Sequence, residues 1–564
     1  MPSQTLKAVL LATAALCAAP AFGQDNAGAY LAGRQAAASN DFAVVETYFR
    51  EALQDDTKNP FLLETLLASQ VNLADFDAAA GTARRINDAG LGSQVSHLVL
   101  TSVYAKADDW TGLLEAFESG ESVSPLVDGL AQAWAALGRG EMSAAIESFD
   151  TVIETEGMSA YGAYHKALAL ASVGDFEGAE VIFSSPPRGG AFSARAAFAH
   201  AKVLSQLERN DDALQMLSTV FGDSQDPTLS ALRAQLTADE MIAYDEVTNA
   251  QEGIGEVAFM IAGLLRGETP DAYTLLYARV AEYLDPNNTN AILTSAELLE
   301  RLGRYELADA AFARVSPNDP AFPLAELGRV DVLLRAERVE AAIEVAQGLA
   351  RSHPDLPNVH SKLGDVLRRN DRYAEAVPAY DAALDLYGQD DPSRWLVYFT
   401  RAISHHQLDQ WPAAEADFRA ALDLNPDQAQ VLNYLGYSLV ERGEKLDEAL
   451  EMIETAVAAE PENGAIVDSL GWVYFQLGRF EDAVDPMEKA AALEATDPII
   501  NDHLGDVYWA VGREIEANFQ WNRALSFDPD EELAARIRLK LELGLDAVLE
   551  QEGADPIRVA DDDG

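Results

Sequence analysis

An all-α, right-handed solenoid of about fourteen tandem helix-turn-helix units in two halves is the fold class predicted for this 564-residue chain. Three observations predict it. A small residue recurs at Ala402, Gly436, Gly471 and Gly505, spaced 34 or 35 residues apart. A second small residue keeps that period at Ala414, Ala449, Ala483 and Ala517. A proline closes most units, at Pro286, Pro320, Pro354, Pro426, Pro461 and Pro529. Two such helices cannot bury their apolar faces alone, and stacking neighbours joins the faces into one core.

The C-terminal stretches "NYLGYSLVERGEKLDEALEMIETA", "DSLGWVYFQLGRFEDAVDPMEKA" and "DHLGDVYWAVGREIEANFQWNRA" carry the period best. The pattern resembles the tetratricopeptide repeat, a helix-turn-helix of about 34 residues. Units are expected to start near 26, 60, 94, 126, 160 and 194, then near 255, 289, 323, 357, 395, 429, 464 and 498. "Gly-Arg-Phe", "Gly-Arg-Tyr" and "Asn-Asp-Phe" mark the turns between helices A and B. Glycine there tolerates positive φ. Pro378 and Pro486 fall inside B helices, where each should kink its helix or lie within the first turns.

The order along the chain follows. Residues 1–23 read as a cleaved signal peptide: Lys7, then an apolar run from Ala8 to Ala19, with small-x-small sites ending at Ala21 or Gly23. Residues 24–227 form a degenerate repeat array. The period breaks over 228–254, an irregular connector open to reading as hinge, superhelix offset, binding insert or diverged repeat. Residues 255–531 form the regular array, 532–552 a capping helix and 553–564 an acidic tail without structure.

Composition disfavours several classes. The chain has 40 basic and 93 acidic residues, a net charge of -53. Such a surface repels nucleic-acid phosphates and anionic lipid headgroups. It favours basic or apolar partners. Cys17 is the only cysteine and lies in the signal segment. Leu16 stands before it where a lipid-anchor site wants a small residue, which disfavours lipidation. No later apolar run is long enough to span a bilayer.

Chemistry is missing from the motifs. There is no H-E-x-x-H, no G-x-S-x-G and no Walker-type Gly-Lys pair. "GIGEVA" at 253–258 fits a dinucleotide pattern only by letter, since no strand precedes it. His405 and His406 are adjacent, which does not put two ligands on one helical face. A non-enzymatic protein without cofactor or metal is expected.

Binding is expected on the A helices, which line the concave face in the repeat class the pattern resembles. Positions 2, 5, 9 and 12 of a unit point into it on the 3.6-residue period. The groove set is then Asn433, Tyr437, Asp468, Trp472, Phe475, Asp502, Asp506 and Trp509. Aromatic and acidic groups alternate, which suits an extended peptide with apolar and Lys or Arg side chains. The competing reading packs Trp472 and Trp509 between repeats.

The C-terminal wording also resembles exported tetratricopeptide proteins of Gram-negative bacteria. Some of that group are outer-membrane lipoproteins that bind a carboxyl-terminal processing protease and help it degrade cell-wall hydrolases. The resemblance implies a periplasmic scaffold or adaptor, associated with the outer membrane in some members. The alternative is an accessory protein of polysaccharide export or cell-wall assembly that binds glycan.

Overall fold

The computed structural model describes residues 27–185, 193–224, 226–554 and residue 557. The signal segment, Cys17 and most of the acidic tail lie outside the described residues. Among the described residues thirty-one α-helices follow one another, with no strand beyond an isolated bridge between Arg266 and Thr269.

A helices begin at Ala27, Pro60, Gln94, Pro125, Ser159 and Ala194, and again at Thr289, Phe322, Pro357, Arg394, Ala429, Gly464 and Pro498. Each lies within one residue of the start read from the period. The unit expected at 255 instead begins at Ala250. Local chemistry explains the earlier start. The Asn249 side chain accepts from the Glu252 N–H, and Glu252 reaches back to the Thr248 N–H, a reciprocal cap.

The turns between helices A and B come in two dialects. In the N-terminal units a residue with positive φ (Asn40, Ala74, Asp108 or Gly174) precedes an aspartate and an aromatic. Asp41, Asp75, Asp109 and Asp175 then cap the B helix by accepting a backbone N–H three residues on. In later units Gly303, Gly478 and Gly512 take the positive φ, and an arginine without a side-chain cap bond follows. Arg479 and Arg513 lie over Tyr474 and Tyr508 at 4.4 and 4.0 Å.

The recurring small residue has a steric cause. A Cβ on Gly364, Gly471 or Gly505 would fall within about 2.5 Å of Tyr380, Met487 or Trp521 respectively. The bulky partner stands sixteen residues later on the B helix each time. The pair is one knob and its socket. Pro378 and Pro486 lie past the first turn of helices Tyr373–Leu386 and Phe480–Leu493, both of which run on beyond them.

The chain divides into two compact units after Val345, so the irregular stretch 228–254 lies inside the first. That stretch opens with helix Pro227–Thr237, capped by Asp226, and then runs without helix to Asn249. Its consequence is a return of the chain. Helix Ala250–Leu265 packs on Gln94–Lys106, Pro125–Gly138 and Ser159–Ser172, while Asp271–Leu284 packs on Pro60–Asn72 and Gln94–Lys106. Those four partners are A helices. Residues 250–284 therefore cover the A helices of the four units between Pro60 and Ser172.

The contact is specific. A Cβ on Gly253 would meet the Trp134 ring at 2.2 Å. Tyr283 stacks on Phe76 at 4.0 Å. Asn72 Nδ2 donates to the Ala272 carbonyl, and Arg279 Nε donates to the Asn72 carbonyl, each at 3.2 Å. Buried Glu282 accepts from Arg279 and also pairs with Arg314.

In the second unit two helices, Glu531–Leu543 and Leu545–Glu552, follow the last repeat, where one capping helix was expected. Gly544 breaks them at a φ of +85°. The Trp509 ring, 2.7 Å from where a Cβ would stand, leaves room there only for glycine.

Candidate interaction surface

In the second unit successive A helices touch: Pro357–Arg368 on Arg394–Gln407, Ala429–Glu441 on Gly464–Gln476, and Gly464–Gln476 on Pro498–Ala510. The B helices touch A helices and stand further from one another. Closer spacing puts the A helices on the inside of the bend. The eight residues read as a groove all sit on three of these helices.

The acidic members are sealed. Asp468, Phe475, Asp502 and Asp506 are buried, which corrects the expectation that they line an open surface. The physical reason is the pairing available to them. Lys540, from helix Glu531–Leu543, sets its Nζ 2.7 Å from carboxylate oxygens of both Asp502 and Asp506. Trp521 Nε1 donates to Asp506 at 2.9 Å, and Arg536 stands 3.7 Å from Asp502. Burial, then the neighbouring Asp506 charge, pushes the Asp502 carboxyl up, against the pull of Lys540.

Asp468 accepts from His503 Nδ1 at 3.0 Å. Burial alone would lower the His503 pKa, but the Asp468 carboxylate and its hydrogen bond, with Asp502 and Asp506 behind, raise it overall. Trp472 lies between His503 and Phe475, stacked on them at 4.0 and 4.9 Å. Trp509 donates to Asp546 at 2.9 Å and leans on Trp521. Both tryptophans thus pack between repeats while keeping part of their surface exposed.

Asn433 and Tyr437 lie one turn apart on helix Ala429–Glu441 and remain half-buried. Burial, then Glu441 and Asp468, push the Tyr437 phenol above its usual range. The Asn433 carboxamide oxygen is buried without a hydrogen-bond partner among the described residues.

Lys540 and His503 were missed by the sequence reading. The available signal was a lone lysine in the apolar stripe of 531–543, one unit beyond a pair of aspartates. "GIGEVA" lies inside helix Ala250–Leu265, and His405 and His406 contact Gln410 and Tyr434. The described residues contain no cluster of three or more potential metal ligands. No helix among them is long and apolar enough to cross a membrane.

Family models for the tetratricopeptide repeat match residues 355–427, and residues 130–184, 293–357 and 435–498. Over 175 residues the chain is 32% identical to a TPR repeat-containing protein of Pseudomonas aeruginosa, covering 30% of this chain and 28% of that protein. Over 76 residues it is 36% identical to bacteriophage adsorption protein A of Escherichia coli, covering 14% of this chain and 8% of that protein. Over 195 residues it is 27% identical to human tetratricopeptide repeat protein 13, covering 34% and 22%. The chain thus spans less than a third of the length of each of these curated relatives. Repeats of this kind are protein-interaction scaffolds. The chain carries tetratricopeptide repeats over residues 130–184, 293–427 and 435–498.

Proposed function

We propose that this protein is a non-enzymatic scaffold of the cell envelope. It is exported to the periplasm through its N-terminal segment and holds a partner protein on the inner face of its second array. Its role is to bring that partner to an envelope protease or a cell-wall enzyme. The observation that carries the reading is the patch of Asn433, Tyr437 and the open edge of Trp472. It combines a buried carboxamide oxygen without a partner with half-exposed aromatic surface. The partly exposed rings take an apolar side chain of the partner. Two further points favour this location. Residues 250–284 cover the A helices of four N-terminal units, and Asp502 and Asp506 are already paired with Lys540.

The experiment is affinity capture after cross-linking in intact cells, with wild type beside an Asn433→Ala, Tyr437→Ala double variant. An envelope protein enriched by wild type should fall by about tenfold or more in the variant, at unchanged helicity. Equal recovery from both would contradict the site. Recovery of glycan in place of protein would favour a wall-assembly role.

A further inference from the structure

A second groove opens in the first unit, beside the place where helix Ala250–Leu265 meets helices Ser159–Ser172 and Ala194–Gln206. It consists of three adjoining clefts of about 380, 520 and 330 Å³. Arg195 lines all three, Phe259 joins the first to the second, and Phe198 and Glu246 join the second to the third.

The floor is electrically settled. Arg195 donates to buried Glu256 through Nε and Nη2, each at 2.7 Å, and lies over the Phe259 ring at 4.9 Å. Tyr164 donates to the same carboxylate at 2.8 Å. The first cleft is otherwise apolar, walled by Tyr161, Met260 and Leu264, whose side chain is 44% exposed.

The far reach is acidic. Asp226, Asp245, Glu246, Asp285 and Asp319 line the second and third clefts, with Lys202 the one cation there besides Arg195 among the described lining residues. Lys202 bridges Asp245 and Glu246. Burial, with the Glu252 and Glu256 carboxylates, holds Asp285 above the usual aspartate range although the Asn287 N–H works against it. The side chains of Asn287 and Asn290 stand exposed on the rim. Carboxamides of this kind can pair both edges of a peptide unit.

We propose that this groove takes an extended basic segment of a partner protein, with one aliphatic side chain beside Leu264 and a Lys or Arg over Asp245 and Glu246. The inference rests on the scaffold reading for the partner being a protein, and it adds a site in the other unit. Charge complementarity selects the occupant. Phosphate-bearing ligands meet five carboxylates, and a second copy of a chain with a net charge of -53 is repelled.

The test selects displayed random peptides, about twelve residues long, on the full chain. Enriched peptides are then synthesised and titrated by fluorescence polarisation. They should carry an aliphatic residue followed by Lys or Arg. Binding should weaken about tenfold on Leu264→Glu and on Asp245→Lys, less on Asp245→Asn, and should fall with rising salt. Leu264 and Asp245 are both exposed, and helicity and melting check that each variant folds. No enrichment, enrichment of acidic peptides, or binders indifferent to these variants would overturn the proposal. Binders lost only on Tyr437→Ala would overturn it too, while supporting the site in the second array.

Discussion

Asp502 and Asp506 sit four residues apart on one buried helical face, where two carboxylates repel unless a cation stands between them. Lys540 is that cation. Lys540→Met should therefore cost about 3–5 kcal/mol in the last repeats, because it strands two buried acids. Denaturation followed by Trp509 and Trp521 fluorescence would read it. Two histidines give a pH prediction of opposite sign. His165 accepts a hydrogen bond from Trp134 Nε1 at 3.2 Å, and burial lowers its pKa to about 3. Its neutral form is required, so its contribution to the first unit fades as pH falls from about 6.5 towards 3. The His503 pKa is raised, so its contribution to the second unit is full below about 6.5 and is lost as pH rises through the higher folded value. Hydrogen exchange in each unit against pH should show both trends. His165→Gln should flatten the first, and His503→Gln the second. The acids were legible as inward-facing from their helical register. What the next helix brings to them was not, because a register describes one helix and a buried pair belongs to two.

At the scale of elements, the turns were the most legible part. Positive φ followed by a cap or by arginine can be read from "Asn-Asp-Phe" and "Gly-Arg-Phe" because the backbone geometry is local. Ala74 holds a φ of +61° without the polar side chain that Asn40 and Asp108 bring to the same turn position. Ala74→Gly should stabilise the fold by roughly 1 kcal/mol, and Asp75→Ala should cost about 1 kcal/mol through loss of the cap. Thermal melts of the two variants should move in opposite directions. The start at Ala250 was misplaced by five residues. The period was extrapolated across a stretch where Thr248, Asn249 and Glu252 set their own boundary. The break at Gly544 escaped notice for a similar reason, since the Trp509 ring that demands glycine comes from another repeat.

At the scale of the molecule, repetition announced the solenoid but concealed its economy. A repeat period records contacts between neighbours. The return of residues 250–284 is made of contacts such as Asn72 with Ala272, 200 residues apart in the chain. Nothing in a nearest-neighbour pattern encodes such a pairing. Gly253→Val should drive a side chain into the Trp134 ring and cost about 1–3 kcal/mol. Protection of helices 250–265 and 271–284 should drop with it in hydrogen exchange, while helices of the second unit keep theirs. With the A helices of four N-terminal units covered by residues 250–284, the second array carries the central claim. A photo-cross-linking amino acid placed at Tyr437, with Glu451 on the exposed B-helix face as control, tests it most directly in living cells. The account predicts one discrete adduct to an envelope protein from position 437 and none from 451. The same adduct from both, or from neither, would contradict it.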